Sequence, residues 1–185
     1  MLAYKKKGKI VASVFIDGNS VKYMEAQNGW SFETNKLLDY FRKEYDLKIH
    51  QVYWYLSLMD KNEERDFIKK LRGCGYIIRE KIIKEITDCY TENLHYKKSV
   101  EVDMVIDIFN TVDEYDLAII VSGSENLERA VELLRCKNTR IFVICTEGVI
   151  AKELKNAADT YLDINTLKDY VLDNERNTKR ILTGV

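Results

Sequence analysis

Residues 9–17 read KIVASVFID, and this run decides the fold. Its apolar residues are nearly continuous, which is typical of a strand buried on both faces. Further apolar or aromatic runs, each predicted to be a strand, are IHQVYWYLS (49–57), YIIREKII (76–83), DLAIIVS (116–122), RIFVICT (140–146) and TYLDI (160–164). A strand that is buried on both faces needs covering elements on each side, so the run predicts the centre of a layered fold.

Helical patterns separate most of these strands. The predicted helices are ETNKLLDYFRKEY (33–45), DKNEERDFIKKLRGCG (60–75), ENLERAVELLRC (125–136) and GVIAKELKNAA (148–158). Strands that alternate with helices predict an α/β fold with three layers, a central parallel sheet with helices on both faces. We expect one domain over residues 1–172 and a C-terminal tail over 173–185. The polar segment 85–99 is predicted to be a loop or hairpin.

The composition excludes several classes of protein. The net charge of −1 provides no overall basic field, so binding of nucleic acid would need a local basic patch. The apolar run near the start is too short for a signal peptide, and no run approaches the roughly 18 apolar residues of a membrane span. The four cysteines show no C-x-x-C pairing, which favours free thiols in a reducing compartment. We therefore expect a cytoplasmic protein without a membrane partner.

Several enzyme classes lack their motifs in this chain. The sequence contains neither G-x-G-x-x-G nor G-x-x-x-x-G-K-[ST], which argues against dinucleotide and P-loop sites. Only His50 and His95 are available as a general base for a serine or cysteine nucleophile.

Asp17 stands at the carboxyl end of the first predicted strand, within VFIDGNS. In open α/β sheets, ligands bind outside the carboxyl ends of the strands, where the strand order reverses. Asp17 is therefore a candidate ligand or catalytic group. The same Asp-Gly-Asn sequence also suits a simple turn, which is the alternative.

Asp103 and Asp107 lie one helical turn apart in SVEVDMVIDIFN (99–110). Like charges at this spacing are mildly destabilising, so a compensating group is expected. Mg²⁺ or Mn²⁺ would compensate them, because these ions prefer carboxylate oxygens. The apolar neighbours favour a functional role, while a solvated face with acids near the helix start is the alternative.

The stretch AIIVSGSENLERA (118–130) leads from a strand through Ser122, Gly123 and Ser124 into a helix. Small polar residues at this point suit a metal or phosphate site, and they equally suit a helix cap by Ser124 or Asn126. A third interpretation is a nucleotide-binding domain in which the amides of residues 122–124 hold an anion at the helix start.

Four stretches, FIDGNS, KKSVEVDMVIDIF, AIIVSGSENLERAVELL and AADTYLDI, together resemble the NYN domain, LabA-like branch, of the PIN-like nuclease superfamily. The resemblance extends over residues 10–172. It implies a parallel sheet of strand order 3-2-1-4-5, in which Asp17 faces residues 122–124. It also implies hydrolysis of RNA phosphodiester bonds at an acidic cluster that holds Mg²⁺ or Mn²⁺.

By this resemblance, Asp17, Asp103 and Asp107 are the catalytic residues that hold the metal. The family motif S-G-D-S-D-F reads SGSENL here, so Ser124 and Asn126 stand in the places of two aspartates. One interpretation is a metal-dependent ribonuclease weakened by loss of the aspartate at position 124. The other is a catalytically inactive NYN domain that acts as an RNA-binding or protein-interaction module.

The predicted partner is RNA, either single-stranded or structured, and a second copy of the chain is left open. The predicted substrate-binding residues are Asn19, Ser122, Ser124 and Lys98. Further candidates for phosphate contacts or base stacking are Lys5–Lys7, Arg79, Lys81, Tyr90, His95, Tyr96 and Lys97. The alternative for each basic pair is a solvated face without a nucleic-acid contact.

Overall fold

A computed structural model of the chain describes residues 8–58, 64–82, 85–87, 94–96 and 100–177, with only the backbone for 85–87 and 94–96. The strands are β1 (Val11–Asp17), β2 (Lys48–Leu58), β3 (Ile77–Ile82), β4 (Glu85–Thr87), β5 (Leu94–Tyr96), β6 (Leu117–Val121), β7 (Arg140–Cys145) and β8 (Thr160–Asp163). The α-helices are α1 (Gly18–Asn28), α2 (Thr34–Glu44), α3 (Arg65–Gly73), α4 (Glu101–Asn110), α5 (Glu128–Cys136), α6 (Lys152–Ala157) and α7 (Lys168–Val171). Short 3-10 helices span Val112–Glu114, Glu125–Leu127 and Ile164–Leu167.

Six of the strands form one parallel sheet in the order β3-β2-β1-β6-β7-β8. The predicted α/β fold class is confirmed, and the predicted order of five strands is present with β8 added beside β7. β1 pairs with β2 on one side and with β6 on the other, so the order reverses next to β1. The carboxyl ends of β1 and β6 therefore meet at the switch point.

Side chains of β1 alternate between two hydrophobic cores. Val14 and Ile16 belong to one core, which also contains residues of α1, α2, α3 and α7. Phe15 points to the other core, which contains residues of α4, α5 and α6. Because successive residues of a strand face opposite sides, a nearly continuous apolar run is needed to fill both cores. The helices thus form the two outer layers that the sequence predicts.

β2 is an interior strand of the sheet, and its residues 52–58 are buried. Its aromatic run VYWYLS therefore belongs to the core and not to an exposed interface. Within the segment predicted to be a loop or hairpin, β4 and β5 pair antiparallel.

The first residues of the predicted tail are hydrogen-bonded to the domain. The backbone N–H of Asp173 donates to the carbonyl of Ser31 at 2.9 Å, and Arg176 donates two hydrogen bonds to the carboxylate of Glu25. The boundary at residue 172 stays a prediction. No helix in the described part of the chain combines the length and apolar character that crossing a membrane requires.

Candidate active site

Asp17 occupies the junction between β1 and α1, with no residue between the two elements. It is the N-cap of α1, and its Oδ1 accepts a hydrogen bond from the backbone N–H of Asn19 at 3.0 Å. Gly18 permits this junction, because a Cβ there would lie 2.7 Å from the backbone oxygen of Tyr55 and from Cδ2 of Leu56. The side chain of Asp17 is thus fixed by the local backbone, and the residue is only 2% exposed.

Two serine hydroxyls bind the second oxygen of Asp17. Ser20 Oγ donates to Oδ2 at 2.6 Å, and Ser122 Oγ, just after β6, donates to it at 3.0 Å. Asp17 and Ser122 therefore face each other across the switch point, as the strand order predicts. Both oxygens of Asp17 accept hydrogen bonds, which orients the carboxylate before any ligand binds.

The backbone amides after β6 are directed at these serines. The N–H of Gly123 donates to Ser20 Oγ at 3.1 Å, and that of Ser124 donates to Ser122 Oγ at 3.2 Å. These two amides consequently support the serine hydroxyls, so they are not aimed at an external anion. This arrangement does not support the predicted alternative of a nucleotide site built from those amides.

Glu101 is a further candidate for the site, and it was not predicted from the sequence. Its Oε1 accepts a hydrogen bond from Ser124 Oγ at 2.9 Å, and its charge acts on the carboxylate of Asp17. Glu101 is the first residue of α4, two residues before Asp103. Residues two apart on a helix point about 200° from each other, so only one of them can face the strand ends. The feature of the sequence that could have identified Glu101 is an acidic residue in the first turn of an otherwise apolar helix.

Burial is the largest influence on Asp17, and it raises the pKa of this carboxyl group above its ordinary value. Hydrogen bonds from Ser20 and Ser122 oppose the shift, because they favour the charged form. The negative charge of Glu101 adds to the increase in pKa. A cation between the two acids would relieve both the desolvation and the repulsion.

Asp103 and Asp107 are bonded to basic side chains of β3. Asp107 binds Arg79 through two hydrogen bonds of 2.8 Å each, and Asp103 lies 3.0 Å from Lys81. In the described part of the chain, no three His, Cys, Asp or Glu side chains are placed to hold a metal ion. Asp17, Asp103 and Asp107 therefore do not form the predicted three-carboxylate cluster in this structure.

The other predicted substrate-binding residues have different surroundings. The side-chain amide of Asn19 donates to Ser57 Oγ at 3.1 Å, which ties the start of α1 to the end of β2. Ser124 bridges Glu101 and the start of the next helix, where it accepts from the N–H of Asn126. Asn126 itself is exposed. Lys98 and the side chains of the other candidates at 5–7, 90 and 95–97 lie outside the described residues.

The donor atoms at the switch point are all oxygens. They belong to the carboxylates of Asp17 and Glu101 and to the hydroxyls of Ser122 and Ser124. Mg²⁺ is commonly held by one or two carboxylates, with water molecules completing its octahedral shell. The chemistry of these oxygens therefore suits a single ion of this kind, for which Asp17 and Glu101 would supply the carboxylates.

The parallel α/β sheet thus carries a buried aspartate at its switch point, with a second acid acting on it. The chain belongs to the NYN domain family, whose model matches residues 11–165. NYN domains are generally nucleases of the PIN-like superfamily, which usually uses divalent metals, and NYN nuclease domains act on RNA. The predicted family membership is thereby confirmed.

One relative supports the family assignment, and one solved structure supports the fold. The chain is 39% identical over 165 residues to "Low amplitude and bright protein LabA" of Synechococcus elongatus (strain ATCC 33912 / PCC 7942 / FACHB-805), and the match covers 89% of each protein. The fold matches the crystal structure of a protein of unknown function from Vibrio parahaemolyticus RIMD 2210633. That match has a TM-score of 0.74 and 19% identity, covering 91% of this chain and 99% of the other.

Proposed function

We propose that this protein is a metal-dependent ribonuclease that hydrolyses RNA phosphodiester bonds at Asp17 and Glu101. The observation that carries the proposal is the buried, pre-oriented carboxylate of Asp17 beside the carboxylate of Glu101 at the switch point. NYN nuclease domains act on RNA, which supports this substrate class. Asp103 and Asp107, which the resemblance assigned to the metal, are instead bonded to Lys81 and Arg79.

Bound Mg²⁺ or Mn²⁺ would activate a water molecule and neutralise charge on the phosphate during hydrolysis. The protein contributes orientation. Ser20 and Ser122 fix the Asp17 carboxylate from within the domain. Ser124 fixes Glu101 by donating to Oε1. Because these donors are already in place, little side-chain entropy remains to be lost when the ion binds.

The site carries fewer acids than the family motif. Ser124 and Asn126 stand where that motif has aspartates, and the hydroxyl of Ser124 occupies one oxygen of Glu101. We infer a reduced rate of hydrolysis, with one metal ion in place of two. The same observation favours the second candidate function, a catalytically inactive NYN domain that binds RNA or a protein partner without turnover.

The test is cleavage of single-stranded and structured RNA in Mg²⁺ and in Mn²⁺, using the wild type and matched variants. We expect Asp17→Asn and Glu101→Gln each to lower the rate at least about 100-fold, because each removes a charged group of the site. Glu125→Gln is the matched control, because Glu125 is exposed and stands next to Ser124. Its rate should equal that of the wild type.

Two results would contradict the ribonuclease proposal. Cleavage that persists unchanged in Asp17→Asn would come from a contaminating enzyme. An inactive wild type that binds RNA equally well with and without EDTA, and gains strong cleavage through Ser124→Asp, would support the inactive module.

A further inference from the structure

The acidic pair on α4 faces the basic pair on β3. Arg79 Nε donates to Oδ2 of Asp107 and Nη2 donates to Oδ1, each at 2.8 Å. The hydroxyl of Tyr55 also donates to Oδ2 of Asp107, at 3.1 Å. One turn earlier on the helix, Asp103 lies 3.0 Å from the ammonium group of Lys81. The compensation expected for two acids at this spacing is thus supplied by β3.

The two ion pairs match in spacing as well as in charge. Arg79 and Lys81 are two residues apart, so they point to the same face of β3, about 6.6 Å apart along the strand. Asp103 and Asp107 are four residues apart, which corresponds to a rise of about 6 Å along α4. Both pairs can therefore form together only when α4 has one register and one rotation relative to β3.

Both oxygens of Asp107 are engaged by a cation. An arginine fork bound to a carboxylate is among the more directional contacts in proteins, and the residue it binds here is 9% exposed. A metal ion at Asp107 would have to displace the guanidinium and leave its charge without this partner. The geometry therefore does not fit Asp107 as a metal ligand.

Apolar packing alone leaves the rotation of α4 weakly specified. Met104 and Ile108 are fully buried against the sheet, whereas Val102 and Ile106 are 59% and 51% exposed. A slip of one residue would move Glu101 by about 1.5 Å along the axis and turn it by about 100°. Such a slip would break the contact between Glu101 and Ser124.

We propose that Arg79 and Lys81 are positioning residues, which hold α4 through Asp107 and Asp103 so that Glu101 contacts Ser124 and its charge acts on Asp17. The four side chains form an ion-pair clamp at the edge of the sheet, and they do not bind the metal. The inference rests on the proposed function, because it assigns Glu101 to the metal.

The test is a charge swap at the more exposed pair, with Asp103→Lys, Lys81→Asp and the double variant. Mn²⁺ affinity is measured directly by electron paramagnetic resonance, and RNA cleavage is measured in parallel. We expect each single variant to bind Mn²⁺ about tenfold more weakly, as is typical when a group supporting a ligand is lost. The double variant, which restores the ion pair without a carboxylate at 103, should recover most of the affinity.

The outcomes distinguish a positioning role of Asp103 from a role as a metal ligand. A double variant as weak as Asp103→Lys would make Asp103 a ligand and overturn the inference, while the ribonuclease proposal would stand. Affinity that is unchanged in all variants, or absent in the wild type, would also overturn it. If the wild type and the double variant bind Mn²⁺ with similar affinity but neither cleaves RNA, the clamp is supported and the ribonuclease proposal is refuted.

A second variant covers the case in which the swap does not fold. Arg79→Lys keeps the charge beside Asp107 but cannot make two parallel hydrogen bonds. With a circular dichroism spectrum equal to that of the wild type, it should show weakened Mn²⁺ binding and a lower kcat. Unchanged values of both would overturn the positioning role of Arg79.

Discussion

At Asp17, a single carboxylate serves the fold and the site together. It caps α1 through Oδ1 and binds Ser20 and Ser122 through Oδ2. The local contacts keep the group oriented, while burial raises its pKa and makes its charge costly. The charge of Asp17 lowers the stability of the fold, and in the proposed ribonuclease the same charge would bind the metal.

The charge of Asp17 should therefore reduce stability at neutral pH in the absence of metal. Because the folded-state pKa is raised, the folded protein binds the proton more tightly than the unfolded chain. The contribution of this group to the free energy of unfolding is then largest in acid and is lost as the pH rises through the folded pKa. Relative to Asp17→Asn, the wild type should gain stability as the pH falls from 7.

Urea unfolding of both proteins in EDTA, at several pH values, measures this difference. At pH 7 we expect the two free energies of unfolding to agree within about 1 kcal/mol, since Asn removes a buried charge but keeps only one oxygen that can accept hydrogen bonds. A wild type that instead loses stability relative to Asp17→Asn on acidification would mean that the pKa of Asp17 is lowered.

The placement of Asp17 opposite Ser122 was predictable, whereas the approach of Glu101 was not, and the reason is geometric. The carboxyl ends of neighbouring parallel strands meet at one edge, so residues at strand ends are predictable once the strand order is known. The side of α4 that faces the sheet depends on packing and on contacts with β3. Glu101 and Asp103 both lie in the stretch 99–110, and the resemblance assigned Asp103, not Glu101, to the site.

At the scale of elements, the ion pairs between α4 and β3 were likewise only partly predictable from the sequence. The need for compensation at Asp103 and Asp107 followed from their spacing. The identity of the compensating groups did not, because Arg79 and Lys81 lie more than twenty residues earlier in the chain. Charged partners brought together by tertiary structure leave no local pattern in a single sequence.

The close approach of α1 to β2 at Gly18 can be tested by Gly18→Ala. The added Cβ would meet a backbone oxygen at 2.7 Å, and backbone yields less readily than a flexible side chain. We expect a loss of about 1–3 kcal/mol in the free energy of unfolding, as for other overpacked sites. Chemical denaturation measures the change.

Gly73→Ala is the matched control. Gly73 ends α3, and a Cβ there would meet no atom within 4 Å. Alanine at this helical position should leave stability unchanged or raise it by up to about 1 kcal/mol. Equal losses in both variants would show that the crowding at Gly18 does not limit stability.

For the whole molecule, the parallel α/β sheet and its order around β1 were predictable, since buried runs and helical periods are local signals. The resemblance implied five strands, while the sheet has β8 as a sixth at its edge. β8 is four residues long, and its pairing with β7 is a tertiary contact. Attachment of residues 173–177 likewise depends on distant partners such as Ser31 and Glu25.

Arg176→Ala tests whether this C-terminal segment contributes to the stability of the domain. Arg176 donates two hydrogen bonds to Glu25, whose side chain is only 11% exposed, and it lies over the ring of Phe67. We expect a loss of about 1–2 kcal/mol in the free energy of unfolding, discounted because the arginine is partly exposed. Thermal and urea unfolding both measure it.

Arg42→Ala provides the comparison, since Arg42 pairs with Asp39 on the exposed face of α2. That change should cost no more than about 0.5 kcal/mol. Equal stability of the two variants would mean that residues 173–177 behave as a tail in solution.

The direct passage from β1 into α1 limits where the chain can change its length. β1 ends at Asp17 and α1 begins at Gly18, so there is no connecting loop that could absorb an insertion here. One extra residue between Asp17 and Ser20 would turn the serine by about 100° around the helix axis and end its contact with the carboxylate. Insertions and deletions in proteins that keep this site should therefore fall at other junctions, and domain-insertion libraries should be empty at positions 17–20.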